Sequence, residues 1–398
     1  MGFALDNLLL GTSGWSYLDW VGPFYQSEKG MLKYYAQFFR TVEVNSSFYR
    51  MPSRDMVRIW SRLTPKDFVF ALKVPRMVTH NFELKPCEDA LLALRNFLEV
   101  LEPLRIEGKL GPLLFQLPPS LEKDVERLDS FLEAIPKEGY AYAVEFRHPS
   151  WLCDEVYKVL EKHGVAYTMV DEPLLPPEVV VTTKEFAYVR WHGHGARPWY
   201  NYCYKPEELE QWKPKLEDLS KRVEVIYGYF NNHFHAYAVK NCIQLLKLLN
   251  MASLEHEKIL ARMEKQAAPA PVATLEGKGY FSVYTAKKPE DLLIFLVDKR
   301  RLERAKEIGD EELNILELSE GYVKAKIRDY MIVVDVEQQT IFHNCADWSR
   351  VAPARQFCKH VAKLFLSLPA DVSVNILREI VLSRDSWSFA PLLEEDLT

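Results

Sequence analysis

Short apolar runs alternate with amphipathic segments along the first 250 residues of the chain. Eight of these runs have the length and near-continuous hydrophobicity of parallel strands that are buried on both faces. They occupy 8–14, 41–45, 68–74, 111–117, 142–146, 165–171, 186–193 and 224–230. Helical periodicity marks most of the intervals between them, namely 31–39, 55–63, 88–104, 121–135, 151–163, 206–222 and a last segment that ends near residue 250.

The number, order and length of these elements predict an α/β fold of the (β/α)₈ TIM-barrel type. An open doubly wound sheet is the alternative. Such a sheet more often has a glycine-rich phosphate loop after its first strand. Here the first run is followed by GTSGW, which does not match G-x-G-x-x-G. The pattern therefore favours the barrel.

Polar side chains stand where the apolar runs stop. In YAVEFRHPSW, residues 142–151, Glu145, Arg147 and His148 come directly before Pro149, which ends the strand. One such cluster is as consistent with a structural ion pair as with a site. Clusters at several strand ends favour a site, because the carboxyl ends of barrel strands meet at one mouth.

The strand ends supply two sets of candidates. We expect a catalytic role for Glu43, Glu145, Asp171 and His192. We expect substrate binding by Asn45, Tyr49, Lys73, His80, Gln116, Arg147, Arg190 and Asn231. Aromatic residues in the same loops can stack on a base or sugar ring, although a core position is the safer interpretation of each; these are Trp15, Phe48, Tyr49, Trp151, Trp191 and Trp199.

Composition limits the classes of function. At 398 residues, two domains are the default, and 48% hydrophobic with 27% charged residues is ordinary for a globular protein. The formal net charge of −6 gives no electrostatic reason to expect bulk binding to nucleic acid or to an anionic membrane. The six scattered cysteines and the absence of a leader pattern or a long apolar run lead us to expect a cytoplasmic protein without a membrane span.

A succession of motifs covers residues 8 to about 250: GTSGWSY, EVNSSFYR, KVPRMVTH, QLPPS, EFRHPSW, VRWHG, RPWYNYCY and YFNNHFHAYAVKN. In this order they resemble the YecE-like family, which is catalogued as a domain of unknown function. The resemblance implies a TIM-type barrel in an intracellular protein, and no established reaction. Family members often have glycine after the second His of FNNHFH, where this chain has Ala236. We expect that difference to alter a loop without abolishing a site.

The chain changes character after the barrel. A charged helical piece and an Ala/Pro-rich stretch predict a semi-rigid linker at 251–276, between a barrel domain at 1–250 and a smaller α+β domain at 277–398. That domain opens with a strand-like run at 280–284 and a charged helix at 289–308. Two antiparallel strands are predicted to follow, at 322–329 and 331–344.

Two pairs of metal-binding residue types come next. His343 and Cys345 are spaced i and i+2, and after an interval Cys358 and His360 repeat the spacing at the start of an apolar helix. Two thiolates and two imidazoles suit one tetrahedral Zn²⁺. Buried free cysteines and, less so, a Cys345–Cys358 disulfide are the alternatives. The segment 320–368 resembles a SWIM-type zinc finger, Cys-x-Cys then Cys-x-His, with histidine in place of the first cysteine.

Three hypotheses of function follow. The first is an enzyme, with carboxylates and histidines holding a divalent metal for phosphodiester hydrolysis, or with Glu145 as acid or base and Arg147 and Arg190 holding an anionic substrate. The second is a protein that binds nucleic acid or a phosphate-bearing ligand without chemistry, with the finger as its DNA- or protein-interaction module. The third is a scaffold with a degenerate barrel.

Overall fold

The computed structural model of the chain describes residues 5, 7–195, 200–265, 283, 286–319, 322–336, 339–382, 384 and 387–392. These residues form two compact units, with the division between Leu275 and Glu276. Three expectations lie outside the described residues, apart from Val283: residues 197–199 of the RPWYNYCY motif, which include Trp199, the Ala/Pro part of the linker, and the strand-like run at 280–284.

The first unit contains eight parallel strands in the order β1-β8-β7-β6-β5-β4-β3-β2. The expected α/β barrel is therefore confirmed, as a nearly closed one. The strands are β1 Leu8–Thr12, β2 Thr41–Val44, β3 Val69–Lys73, β4 Leu110–Gln116, β5 Tyr142–Glu145, β6 Ala166–Asp171, β7 Phe186–Trp191 and β8 Val225–Phe230.

β1 and β2, the two end strands of the sheet, meet at the seam of the nearly closed barrel. One parallel bridge joins Ser13 to Glu43, and Gly14 N–H donates to the Glu43 carbonyl at 2.7 Å. Lower down, the Tyr35 hydroxyl accepts from Thr12 N–H at 2.9 Å and donates to the Thr41 carbonyl at 3.0 Å. A side chain at Gly11 would lie 2.3 Å from the same carbonyl, so only glycine lets the strands approach this closely.

Helices cover the outside of this sheet. They are α1 Met31–Tyr35, α2 Ser46–Tyr49, α3 Arg54–Leu63, α4 Glu88–Ile106, α5 Val125–Ala134, α6 Asp154–His163, α7 Pro206–Glu210, α8 Trp212–Leu219, α9 Tyr237–Leu248 and α10 Leu254–Lys265. A short π-turn at Met77–Asn81 and 3₁₀ turns at Leu18–Trp20, Pro149–Trp151 and Phe234–Ala236 complete the unit. The helix expected at 206–222 is broken at Gln211, and that expected at 31–39 ends at Tyr35.

The side chains that face the barrel interior form its small inner core, and they fix which strand-end residues face the mouth. This core is Ala71, Leu114, Ala143, Ala166, Phe186, Tyr188 and Tyr229. Because side chains alternate along a strand, the next inward positions are two residues further on. Lys73 and Gln116 take these positions on β3 and β4, Glu145 on β5, and Arg190 on β7.

The second unit is α+β. Its sheet has the order β13-β12-β11-β10-β9, from the strands β9 Leu313–Ser319, β10 Tyr322–Ile327, β11 Tyr330–Asp335, β12 Thr340–His343 and β13 Ser388–Pro391. Its helices are α11 Pro289–Leu293, α12 Lys299–Lys306, α13 Trp348–Val351, α14 Lys359–Ser367 and α15 Ala370–Leu382, with 3₁₀ turns at Asp310–Glu312 and Ala352–Ala354.

The strand predicted at 331–344 is wrong in one respect, because the chain turns back within it. β11 ends at Asp335 and β12 begins at Thr340, and the two pair in antiparallel register. Gln339 has a φ of 50°, a left-handed conformation typical of a turn. The chain therefore forms a hairpin of β11 and β12, and His343 ends its second strand.

Candidate functional site

Arg190 stands at the centre of the barrel mouth and bridges two buried carboxylates. Its Nη2 donates to Glu43 Oε1 at 2.7 Å, and its Nη1 donates to Glu145 Oε2. Both glutamates are fully buried, and Arg190 is 1% exposed. The two neighbouring acids hold the pKa of Arg190 above its ordinary value in spite of burial. Three strands, β2, β5 and β7, thus meet in one ion network.

The oxygens of Glu43 and Glu145 are occupied by donors. Glu43 also accepts from the hydroxyls of Ser13 and Tyr188, each at 2.7 Å. Glu145 Oε1 accepts from Gln116 Nε2 at 2.6 Å. Burial alone would raise the pKa of Glu145, but Arg190, His192 and Arg147 together outweigh it and hold that pKa well below its usual range. Glu145 is therefore an ionised carboxylate.

A chain of polar side chains continues from Glu145 to β2. His192 Nε2 lies 3.2 Å from Glu145 Oε1, and His192 Nδ1 lies 3.0 Å from the amide nitrogen of Asn231. Asn231 Oδ1 in turn accepts from Asn45 at 3.4 Å. The Asn231 amide donates to Nδ1, whereas Nε2 faces both the carboxylate of Glu145 and Nη1 of Arg190, each at 3.2 Å.

Arg147 joins Glu145 to a third buried acid that the sequence reasoning missed. Arg147 Nη1 lies 3.7 Å from Glu145 Oε1, and Arg147 Nε lies 3.5 Å from Glu172 Oε2. Glu172 follows directly after β6, and its side chain is fully buried. Both distances are longer than hydrogen bonds, so this ion pair is looser than that of Arg190.

Asp171 does not join the network. Its carboxylate accepts from Trp212 Nε1 on α8 and contacts His194 Nε2. Burial would lower the pKa of His194, but the hydrogen bond to Asp171 outweighs this and raises it. Val170 pairs with Arg190 in the sheet register and faces inward, so Asp171 faces outward and Glu172 faces inward again. Asp171, which we expected at the mouth, thus lies one residue before the inward position that Glu172 takes.

The other expected binding residues lie around the mouth at different depths. Lys73 is 3% exposed, and its Nζ lies 3.9 Å above the ring of Phe48. His80 contacts that ring edge to face at 4.8 Å and bonds Thr79 Oγ1 at 2.9 Å. Tyr49 is half exposed on α2.

The loop aromatics divide between core and mouth. Trp151 stacks on Phe146 at 4.8 Å and Trp191 stacks on Phe230 at 4.5 Å, which are core positions. Sequence reasoning did not find a second group, in which His233 is sandwiched between other rings. Its ring lies 4.6 Å from Tyr17 and 5.1 Å from Tyr200.

The loop after β8 carries this sandwich. His235 and Ala236 both have positive φ, 52° and 59°. A left-handed conformation at residue 236 explains why glycine suits this position in the family, and alanine adopts the same conformation here.

Two further network residues, Ser13 and Tyr188, also went unpredicted. Ser13 lies just beyond β1 in the small-residue segment TSG, and Tyr188 lies within β7 as part of an apolar run. Inward alternation from Arg190 identifies Tyr188, because the two are two residues apart on one strand. That signal becomes usable only once the inward face of the strand is known.

In the second unit, His343, Cys345, Cys358 and His360 form one buried group that could hold a metal ion. Their candidate ligand atoms all lie within 4.8 Å of one another. β12 supplies His343 at its end, and α14 begins directly after Cys358, whose sulfur accepts from Val361 N–H at 3.5 Å. All six cysteines are free thiols, so Cys345 and Cys358 are not joined by a disulfide.

The nitrogen atoms of this group fit a metal ligand set. His343 Nδ1 lies 2.6 Å from the Met331 carbonyl, which can only accept, so Nδ1 carries the proton. His343 Nε2 and His360 Nδ1 are buried, and neither makes a hydrogen bond with any residue that the structure describes. Around a tetrahedral ion with bonds of about 2.0–2.3 Å, ligand atoms lie roughly 3.3–3.8 Å apart. A small contraction of the group reaches that geometry.

No helix among the described residues combines the length and the apolar character that a membrane crossing requires.

The first unit resembles known proteins. The family described as "Protein of unknown function DUF72" matches residues 9–267. UPF0759 protein YunF of Bacillus subtilis is 27% identical over 269 residues, which are 61% of this chain and 95% of that protein. UPF0759 protein YecE of Escherichia coli O157:H7 is 29% identical, over 52% of this chain and 68% of that protein.

Among solved structures, a DUF72 family protein of Thermotoga maritima is 37% identical with a TM-score of 0.56. The alignment covers 61% of this chain and 99% of the Thermotoga chain.

Proposed function

This chain belongs to the DUF72 family, and from that premise we propose that the mouth of its barrel binds a small polar molecule and acts on it by proton transfer. The observation that supports the proposal is the ion network of Glu43, Arg190 and Glu145. Burying charges costs free energy, and apolar side chains of similar volume would often stabilise a fold as well. A buried network at the carboxyl ends of barrel strands, where the active sites of this fold lie, therefore favours a functional role.

The residues of the mouth would have two different roles. Glu43 and Glu145 both hold Arg190, and their remaining acceptor positions are taken by Ser13, Tyr188 and Gln116, so the three charged residues serve as a rigid frame. The ionised Glu145 holds Nε2 of His192, which is the way a carboxylate orients an acid–base histidine. When a ligand replaces the Asn231 amide at His192 Nδ1, this nitrogen would accept a proton from the ligand and later return it.

A divalent metal in the mouth does not fit these residues. The carboxylates of Glu43 and Glu145 both hold Arg190, and that of Asp171 contacts Trp212 and His194. These three acids do not converge on one point with free oxygens. Metal-dependent phosphodiester hydrolysis in the mouth is therefore not the reaction that we propose.

Binding of a phosphate-bearing ligand or of nucleic acid, without chemistry, is the second candidate. The cations Lys73 and Arg147 beside the network favour it. Binding to nucleic acid would weaken strongly with added salt, because each phosphate that a protein cation neutralises releases a condensed counterion. Loss of affinity between low and high salt is therefore its signature.

For the second unit, we propose that His343, Cys345, Cys358 and His360 hold a structural Zn²⁺ in a SWIM-type finger, which serves as a DNA- or protein-interaction module. The orphaned Nε2 of His343 and Nδ1 of His360 support this proposal. The Met331 carbonyl that orients His343 is the kind of outer contact that metal-bound histidines use. Zinc would tie β12 to α14 and so stabilise the small unit.

The mouth is tested with the full chain, without added metal, against neutral sugars, sugar phosphates, nucleotides and short oligonucleotides. Calorimetry measures binding and proton NMR measures turnover. We expect His192→Gln to lower turnover of the bound compound about 100-fold or more, while exposed Arg222→Ala, on the far side of the barrel, leaves it unchanged. Binding without turnover selects the second candidate, and no binding by any class contradicts both.

The finger is tested by metal analysis and by cobalt substitution of the full chain. We expect one metal ion per chain and the absorption of tetrahedral Co²⁺ with two thiolate ligands. His343→Ala should remove both, and His256→Ala, a histidine of α10 in the first unit, should remove neither. A chain purified with less than a tenth of an ion, and unable to take up zinc, would contradict the proposal.

A further inference from the structure

Glu172 differs from the other acids of the mouth in one respect. It is 3% exposed, and neither of its carboxylate oxygens accepts a hydrogen bond from any residue that the structure describes. Glu43 and Glu145, by contrast, accept hydrogen bonds on both oxygens. A buried carboxylate without donors is costly, so a native structure that keeps one has a reason to do so.

The charges around Glu172 select the ligand's own charge. Arg147 Nε lies 3.5 Å from Glu172 Oε2 and Arg147 Nη1 lies 3.7 Å from Glu145. An ammonium group that approached Glu172 would be repelled by Arg147. A phosphate that approached Arg147 would be repelled by Glu172 and Glu145. A neutral hydroxyl avoids both penalties, because it donates to a carboxylate and accepts from a guanidinium at the same time.

Asn45 offers a second acceptor of the same kind. Its Oδ1 is buried and has no hydrogen-bond partner among the described residues, while its amide nitrogen donates to Asn231. Asn45 follows β2 and Glu172 follows β6, four strands apart in a sheet of eight. They therefore lie on opposite sides of the mouth. A ligand that reaches both must carry hydroxyls at more than one edge.

We propose that Glu172 and Asn45 accept hydrogen bonds from the hydroxyl groups of a neutral, polyhydroxylated ligand of the carbohydrate class. This inference rests on the proposed function of the mouth and names its substrate class. Glu172 is then a ligand-binding residue of the mouth, in the role for which the neighbouring Asp171 was expected.

The experiment compares three classes of probe on the full chain by calorimetry: neutral mono- and disaccharides, the corresponding sugar phosphates, and aliphatic amines. We expect a neutral sugar to bind to the wild type. Glu172→Gln should weaken it about 10-fold and Glu172→Ala about 10- to 100-fold, since hydrogen bonds to charged groups are the stronger ones. Glu185→Gln, an exposed glutamate directly before β7, is the matched control and should bind like the wild type.

Asn45→Ala keeps the test decisive if the Glu172 variants fail to fold by circular dichroism. It removes the second acceptor at a half-buried position and should weaken the same sugar about 5- to 10-fold. Preferential binding of phosphates or amines, or sugar binding that neither Glu172→Ala nor Asn45→Ala weakens, would overturn the inference while the mouth stays a ligand site. If none of the wider set of compounds binds, the proposed function fails instead.

Discussion

Arg190 Nη2 lies 2.7 Å from Glu43 Oε1, although the two residues are 147 positions apart in the sequence. The contact joins β7 to β2 across the mouth of the barrel, and the other end of the guanidinium holds Glu145. The network therefore links three strands that are not neighbours in the sheet. Because Arg190 holds both Glu43 and Glu145, its removal leaves two buried carboxylates without their cation at once.

We expect Arg190→Gln to destabilise the first unit by about 3–5 kcal/mol, because it leaves two buried carboxylates without their cation. Urea unfolding at neutral pH measures this loss. The double variant with Glu145→Gln should lose less than the sum of the two single losses, since it removes a charge together with its counterion. If the two single losses add exactly in the double variant, Arg190 and Glu145 are not energetically coupled.

The ionised state of Glu145 predicts a pH dependence. Its pKa in the folded protein lies well below the unfolded value of about 4.3, so the stability that it contributes is fully present above that value. That contribution is lost as the pH falls from about 4.3 toward the folded pKa, at about 1.4 kcal/mol for each unit of depression.

The difference in unfolding free energy between the wild type and Glu145→Gln should thus be constant from pH 7 to 5 and shrink below pH 4. Chemical denaturation at each pH measures it. A difference that instead grows on acidification would mean that Glu145 is protonated in the folded protein.

The seam between β1 and β2 should depend on the hydroxyl of Tyr35. Tyr35→Phe leaves Thr12 N–H and the Thr41 carbonyl without their partner, and we expect a loss of about 1–3 kcal/mol. Tyr34→Phe, in the same helix, is the control, because its hydroxyl has no hydrogen bond among the described residues. Equal effects of the two substitutions in urea unfolding would refute a role for the seam.

The second unit should depend on its metal ion. We expect removal of the ion with a chelator, or Cys345→Ser, to lower the stability of this unit by about 4 kcal/mol or more, as for a ligand whose Kd lies about 1,000-fold below its free concentration. We expect the two units to unfold in two separate transitions in scanning calorimetry of the full chain. The loss should appear only in the transition of the second unit. Cys87→Ser, at an exposed thiol of the first unit, should leave both transitions in place.

The local pattern of residues was enough to predict the barrel strands and the C-terminal group of candidate metal ligands. The eight barrel strands follow from apolar runs of the right length, because parallel strands buried on both faces need such residues throughout. The four residues of the C-terminal group follow from ligand type and spacing alone. Strand β9 was missed because Leu313–Ser319 alternates weakly and its apolar side chains Ile315, Leu316 and Leu318 are largely exposed.

Which side chains share the mouth was decided only by the tertiary structure. Glu43, Glu145 and Arg190 were all found in the sequence, but their pairing depends on the order of strands around the barrel. Asp171 and Glu172 are adjacent and both acidic, and the sequence favoured the one that ends the apolar run. Only the register against β7 shows that Glu172 faces inward, because a shift of one residue turns a side chain to the other face of a sheet.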